Sequence, residues 1–309
     1  MMSNSNYLRT EQQAYSARLW QVFACPECGG VLSPDDDGAH CLNCWTAYNH
    51  AVSGALDLRH AKAVSLEIAV GCNPLPDYPV NFDPLPTNPN PEVDFSEITL
   101  PHNLSPKFCS YLPKAKRDDS LMLDLGCGQP IYRTLAEHAG YEYVGLDFQS
   151  PHAPLLGDAQ ALPFQDDSVE LIWSNAVFQY LPCPLVMAKE AYRVLQPGGT
   201  FLGTAGFIEP FDGDSFQMLT RLGLLHLLHA AGFKVLHISP DSWWTGLVAL
   251  SRMGLFPRMP ATLSRLLVLP LESLSKVWWQ FGARRSHSAN EANRLARVTG
   301  GHQFIAMKV

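Results

Sequence analysis

Leu121-Met122-Leu123-Asp124-Leu125-Gly126-Cys127-Gly128 joins a short apolar run to an acid and two glycines spaced by one. Nineteen residues beyond Gly128, a second apolar run, Tyr143-Val144-Gly145-Leu146, ends in Asp147. Residues of these types in this order describe a nucleoside site. The glycines let backbone approach a ligand with no Cβ in the way, and an acid at a strand tip can take both hydroxyls of a ribose. A dinucleotide site wants a third glycine where this chain has Ile131, so that the helix packs closely beneath a pyrophosphate. Asp124 also precedes the first glycine, where its charge would repel a diphosphate. A ligand with a cationic end, such as the amino group and sulfonium of S-adenosylmethionine, suits that acid better.

A second constellation precedes it. Cys25-Pro26-Glu27-Cys28 and Cys41-Leu42-Asn43-Cys44 are two Cys-x-x-Cys pairs separated by twelve residues. Two intervening residues let both sulfurs of a pair point at one centre, and Gly29-Gly30 permits the turn that follows. Four thiolates match tetrahedral zinc with no position left for substrate, which makes the expected site structural. A redox-active pair is the alternative, though such pairs usually come singly at a helix start; His40 is an alternative ligand beside Cys41. Cys72, Cys109, Cys127 and Cys183 show no ligand spacing.

The elements that must position these groups alternate. Strands are expected near 121–125, 141–146, 154–156, 169–174, 199–205, 233–239 and 302–309, with helices near 106–113, 131–139, 184–195 and 216–231. Alternation of this kind implies an α/β fold with a mostly parallel sheet covered on both faces. Residues 73–113 hold ten of the 24 prolines, a density that forbids helix and central strand. An extended linker or a flap over the cofactor mouth is expected there. The resulting organisation is an N-terminal segment with zinc ribbon over 1–60, a Pro-rich linker over 61–104 and a catalytic domain over 105–309.

Further motifs follow the glycine loop: Gly157-Asp158-Ala159, Leu162-Pro163-Phe164, the turn and strand from Asp166 to Asn175, and Arg193-Val194-Leu195-Gln196-Pro197-Gly198-Gly199. With the DLGCG loop, these resemble the class I S-adenosylmethionine-dependent methyltransferases of the RVLxPGG group over roughly residues 105–240. The resemblance implies a Rossmann-like, seven-stranded, doubly wound sheet whose last strand inserts antiparallel. It implies that Asp124, Gly126, Cys127 and Gly128 lie under the methionine part of the cofactor, Asp147 on the ribose and Phe148 against the adenine. Asp158 would accept from the adenine amine, Ala159 would offer its backbone, and Asn175 would line the methyl-donor pocket. The N-terminal module, ending in Gly54-Ala55-Leu56-Asp57-Leu58-Arg59, resembles zinc ribbons fused to or partnering methyltransferases, including those that act on RNA. Two departures stand out: Asp212 replaces a histidine common in the group, and Val177-Phe178-Gln179-Tyr180 stands where Glu-His is common. No catalytic histidine carries over. His226 and His229 read as core or surface residues, so no general base is named.

The 309 residues are 47% hydrophobic and 17% charged, which excludes a largely disordered chain. From Pro240 onward nine Lys/Arg face three acids, a balance of +6; the net charge of −7 then leaves −13 on the first 239 residues. A generic nucleic-acid binder would carry its basic face on the main body. A polar N-terminus without an apolar secretory core, no spanning apolar stretch and scattered cysteines lead to the expectation of a cytoplasmic protein. A helical insertion is expected at about 243–282, before the last strand. Within it Leu263, Leu266, Leu267, Leu271, Leu274, Val277, Trp278 and Phe281 recur at helical spacing among Arg252, Arg258, Arg265 and Lys276. The favoured reading is an amphipathic cap packed on its own domain; the other is a surface for peripheral membrane contact or a lipophilic acceptor. The function expected is methyl transfer from S-adenosylmethionine to a small or lipophilic metabolite. The alternatives are RNA as acceptor and a cofactor-binding regulatory or interaction subunit without catalysis.

Overall fold

Apolar runs too short for helices and buried on both sides become the central strands of one large sheet. The computed structural model describes residues 14–59, 75–101, 103–208, 214–241, 244–283 and 291–309. Cys72, Pro74, the stretch Glu209 to Gly213 with Asp212, Trp243, Arg284 and Arg285 lie outside the described residues.

In chain order the elements begin with α1 (Ala17–Val22), β1 (Leu32–Pro34), β2 (Gly38–Cys41), β3 (Ala47–Asn49) and β4 (Leu56–Asp57). The next are α2 (Pro106–Cys109), β5 (Leu121–Leu125), α3 (Arg133–His138), β6 (Glu142–Asp147), β7 (Leu155–Leu156) and β8 (Val169–Asn175). Then come α4 (Pro184–Val194), β9 (Leu195–Gly206), α5 (Arg221–Ala230) and β10 (Lys234–Pro240). The last are α6 (Gly246–Ala249), a π-helical turn (Leu250–Leu255), α7 (Ala261–Ala283), α8 (Glu291–Val298) and β11 (Gly301–Met307).

The large sheet has the order β10-β11-β9-β8-β5-β6-β7-β4. All five residues of β5 are buried, as a parallel strand covered by helices on both faces requires. The seven expected strands are all present, and β11 runs antiparallel to both β9 and β10. Arg193 explains the Arg-Val-Leu turn physically. Its guanidinium donates to Glu190, to Asp166 and to the carbonyls of Leu162 and Phe164 at 2.7–2.9 Å, which fixes the loop between β7 and β8.

The N-terminal module is welded to this sheet. β1, β2 and β3 form a small antiparallel sheet of their own, but β4 adds an eighth strand, parallel to β7 with Leu56 opposite Leu155. The Leu58 N–H donates to the Leu156 carbonyl at 2.8 Å. The Tyr15 hydroxyl accepts from Leu56 N–H and donates to the Pro154 carbonyl. Phe23, Cys41, Tyr48 and Leu56 belong to the same buried cluster as Leu123, Phe164 and Phe201. At the opposite edge, Asn81 exchanges backbone hydrogen bonds with Leu236 and Ile238 of β10. Leu85 and Leu104 enter a second cluster with Phe108, Tyr132 and Trp173. The described part of the Pro-rich stretch therefore covers an edge and a face of the sheet, and none of residues 75–101 lines the cofactor crevice.

The helical insertion corrects the favoured reading. The eight apolar residues expected to pack inward on α7 point outward instead, each at least 46% exposed, with Trp278 at 78%. The opposite stripe, with Ser264 and Val268 buried, faces the protein. Polar anchors set that orientation. Ser264 Oγ bonds to Ser251 Oγ at 3.0 Å, and Thr245 Oγ1 donates to Glu272 at 2.6 Å. The Arg297 guanidinium sits over the Trp279 ring. No described helix is long and apolar enough to cross a membrane.

If ribbon and sheet share one core, damage at their seam must be felt by both. Phe23 and Phe164 are fully buried with ring centroids 5.6 Å apart. Phe23→Ala is expected to cost about 3–5 kcal/mol and to leave a single thermal transition at lower Tm in circular dichroism. A separate ribbon transition below an unshifted sheet transition would contradict the shared core.

Candidate active site

β5 is the first strand of the alternation, and the chain winds away from it in both directions. The crevice at its C-terminal end is therefore the place where such sheets bind ligands. A cavity of about 670 Å³ opens there, bordered by Gly126 after β5, by Asp147, Phe148 and Gln149 after β6, and by Gly157 to Gln160 after β7. Val177, Tyr180, Leu181 and Pro182 after β8 close another side, with Asp214 and Phe216 after β9. Three exposed aromatic rings, Phe148, Tyr180 and Phe216, stand around its mouth.

Asp147 is held by backbone. Its Oδ1 accepts from Gln149 and Ser150 N–H at 3.0 and 2.9 Å, and its Oδ2 accepts from Gly128 N–H at 3.0 Å. Three donors orient the carboxylate, while Oδ2 keeps acceptor capacity beyond its single donor. The loop's own N–H groups are spent inside the protein. Gly126 and Cys127 N–H both donate to the Leu146 carbonyl, and Gly128 N–H is committed to Asp147. The first glycine is still required for two reasons. Gly126 has φ +67°, and a Cβ there would meet Val177 Cγ2 at 2.4 Å.

Asp124 lies beneath this loop, buried, and not in the crevice wall. Tyr143 donates to its Oδ2 at 2.6 Å, and its Oδ1 has no partner among the described residues. Burial pushes its pKa up to about 7, opposed by the Tyr143 hydrogen bond and reinforced by the charge of Asp147. Cys127 is a buried, small loop residue whose thiol is raised by burial, away from thiolate chemistry at neutral pH. Asp158 borders the crevice and accepts from Gln160 N–H at 2.8 Å; Ala159 borders it beside Asp158. Arg59, just beyond β4, lies 5.7 Å from the Phe148 ring centroid and donates to the Phe148 carbonyl, so the ribbon's end reaches the rim.

A second cavity of about 360 Å³ adjoins the first. Asn175 at the tip of β8 borders it, and Ala176 borders both spaces. Asn175 Oδ1 accepts from Thr204 Oγ1 at 2.8 Å. Ala176 has φ +55°, a left-handed conformation that costs a non-glycine residue on the order of 1–3 kcal/mol. Its N–H is held by Thr204, to the carbonyl and to Oγ1. The remaining walls come from Asn103, β9, Asp241, Trp244 and the helical insertion.

The four cysteines meet. Their sulfurs all lie within 4.8 Å of one another, with Cys25–Cys44 at 3.6 Å and Cys28–Cys41 at 3.5 Å. Sulfurs bound at about 2.3 Å to a tetrahedral zinc stand roughly 3.8 Å apart, so the donor set and its spacing fit that ion. Asn43 and Cys44 N–H both point at the Cys41 sulfur. A Cβ on Gly30 would crowd Asn43 Cβ at 2.7 Å and the Cys41 sulfur at 3.0 Å. His40 instead bonds to Asp35 through Nδ1 at 3.0 Å.

Of the expected cofactor residues, Gly126, Asp147, Phe148, Asp158 and Ala159 form the crevice wall. Asn175 lies in the adjoining cavity, and Asp124, Cys127 and Gly128 lie behind the wall. His226 is exposed and His229 packs edge-on to Tyr78, and neither borders the crevice or the adjoining cavity. Asp214 and Phe216 border the crevice without belonging to the motifs that carried the expected cofactor residues. Arg252, Arg265 and Trp244 had a signal only in their clustering within the insertion.

A family model described as a methyltransferase domain matches residues 123–203. An uncharacterized methyltransferase of Mycobacterium tuberculosis is 27% identical over 172 residues, covering 51% of this chain and 68% of that protein. The mitochondrial arginine-hydroxylase NDUFAF5 of Mus musculus is 29% identical over 140 residues, covering 40% and 38%. Among solved structures, a chain of the Haloferax volcanii complex between the Trm112 methyltransferase activator and a methyltransferase superposes with TM-score 0.41. It is 20% identical and covers 65% of this chain and 87% of that one. The matched model begins in β5 and ends in β9, the strands that carry the crevice, and the sheet with its antiparallel last strand is the one expected from the sequence motifs. The chain carries a class I S-adenosylmethionine-dependent methyltransferase domain.

Proposed function

We propose that the chain transfers the methyl group of S-adenosylmethionine to a small or lipophilic acceptor seated in the cavity beside the cofactor crevice. The observation that carries this reading is the common wall at Ala176, next to Asn175, which brings the two spaces together at the tip of β8. In this reading Asp147 takes the ribose hydroxyls, and Phe148 lies against the adenine with Tyr180 and Phe216 around it. Asp158 accepts from the exocyclic amine, Ala159 offers backbone, and Asn175 borders the methyl end. Gly126, Cys127 and Gly128 floor the methionine part above Asp124.

The bound cofactor supplies a methyl group already activated on a sulfonium. The chain's own residues then have to align and dry the site, because in-line displacement gains most from holding the reacting atoms in position. Ala176, pinned by Thr204, and Gly126, packed on Val177, are rigid enough to do this. Cys25, Cys28, Cys41 and Cys44 are the ligand set proposed for a structural zinc, closed to substrate. Residues 1–60 would then serve as ribbon, 61–104 as connector and edge cover, and 105–309 as the catalytic part.

The test is incubation of the full chain with methyl-labelled cofactor and cell extract separated into RNA, protein, lipid and small-molecule pools. Label is expected in the lipid or small-molecule pool; label confined to RNA or protein would refute the acceptor assignment. Asp147→Ala is expected to weaken cofactor binding about 10- to 100-fold in calorimetry, by loss of hydrogen bonding to a charged group. Unchanged affinity would refute the ribose assignment. Asp124 gives a pH signature. With its pKa at about 7, it is largely protonated below neutrality and ionised above it. A cationic ligand favours the ionised form, so cofactor affinity should rise between pH 6 and 8. Asp124→Asn, which keeps an acceptor for Tyr143, should flatten that dependence.

A further inference from the structure

The cavity assigned to the acceptor is rich in donors and cations. Arg252 reaches it from the π-helical turn and Arg265 from α7, with Thr262 beside them. Trp244 adds an indole N–H that is buried and has no partner among the described residues. The Arg252 guanidinium lies 5.4 Å from the centroid of the Trp244 ring, and no ion pair joins it to a described residue. Arg258 borders a smaller space that Trp244 and Arg252 also border, adding a third positive charge nearby. Among the described residues the single acid in the wall is Asp241. Among the described wall residues two guanidinium groups stand against one carboxylate, an excess of positive charge whichever arginine Asp241 faces.

Resting on the methyl-transfer reading above, we propose that this cavity is an anion site that binds the carboxylate or phosphate of the methyl acceptor. A guanidinium presents a planar fork of donors matched to both oxyanions, and a low-dielectric wall strengthens that attraction. Val248 and Ala205 supply apolar wall for the rest of the molecule, and about 360 Å³ admits a compact ligand. A cationic acceptor would meet net repulsion. The arginines lie inside a cavity rather than along a face, which favours a small anion over the phosphate track of a nucleic acid.

The test uses the full chain saturated with S-adenosylhomocysteine and four matched probes: phenyl phosphate, benzoate, benzylammonium and benzyl alcohol. Calorimetry is expected to show saturable binding of phenyl phosphate or benzoate, and the stronger of the two identifies the anion. Arg252→Gln and Arg265→Gln should each weaken that binding about tenfold to a hundredfold with S-adenosylhomocysteine affinity unchanged. Benzylammonium or benzyl alcohol binding as tightly as the anions would overturn the proposal, as would absence of anion binding or anion affinity indifferent to both substitutions. In the turnover arm, labelled product should be retained on an anion exchanger; label found solely in the unretained fraction also overturns it. Failure of the methyl-transfer reading is seen separately, as failure to bind S-adenosylhomocysteine or to transfer label to any pool.

Discussion

A parallel sheet ends in two rows of unpaired N–H and C=O groups, and those rows have to be satisfied before anything built on the sheet can be rigid. This chain covers both with segments from outside the βα alternation. At one edge, β4 from the N-terminal module pairs with β7 and passes Leu56 into the main core. At the other, Asn81 pairs with β10, which is itself held by the antiparallel β11. The cofactor crevice lies between these covers. Its far lip, Gly157 to Ala159, follows β7, so the strand donated by the ribbon buttresses the element that presents Asp158.

The glycine loop shows how backbone valence is distributed at such a site. All three N–H groups that the loop could offer are committed inside the protein, two to Leu146 and one to Asp147. The loop thus acts by shape and by orienting a carboxylate. Asp147 is preorganised by three donors before any ligand arrives, which reduces the ordering cost of binding. Asp124 is different. It is desolvated, half satisfied by Tyr143, and poised near neutrality because burial and a neighbouring charge both disfavour its ionised form.

Much of this was legible in the residues. The strands follow from local patterning, and the four cysteines converge because two turns of fixed length leave their sulfurs little choice. Gly126 and Gly30 stand where a Cβ would collide. What the sequence hid was non-local. The pairing of Leu56 with Leu155 joins residues about a hundred positions apart, and two residues make too short a strand to announce themselves. Helical periodicity on α7 identified an apolar face correctly but assigned it to the interior. The polar stripe won instead, through Ser264 to Ser251 and Glu272 to Thr245, contacts that no periodicity encodes. The arginines of the second cavity come from two separate helical segments, and their convergence depends on that same orientation.

The outward turn of α7 has a mechanical corollary. The helix runs roughly 34 Å at the usual rise per residue, with Pro270 inside it, greasy side chains on its outer flank and Arg265 on the flank that walls the cavity. Detergent, oil or a neighbouring molecule settling on the outside would load the same beam that shapes the chamber within. Solvent conditions chosen merely to keep the protein dispersed would then alter how that chamber admits its guest.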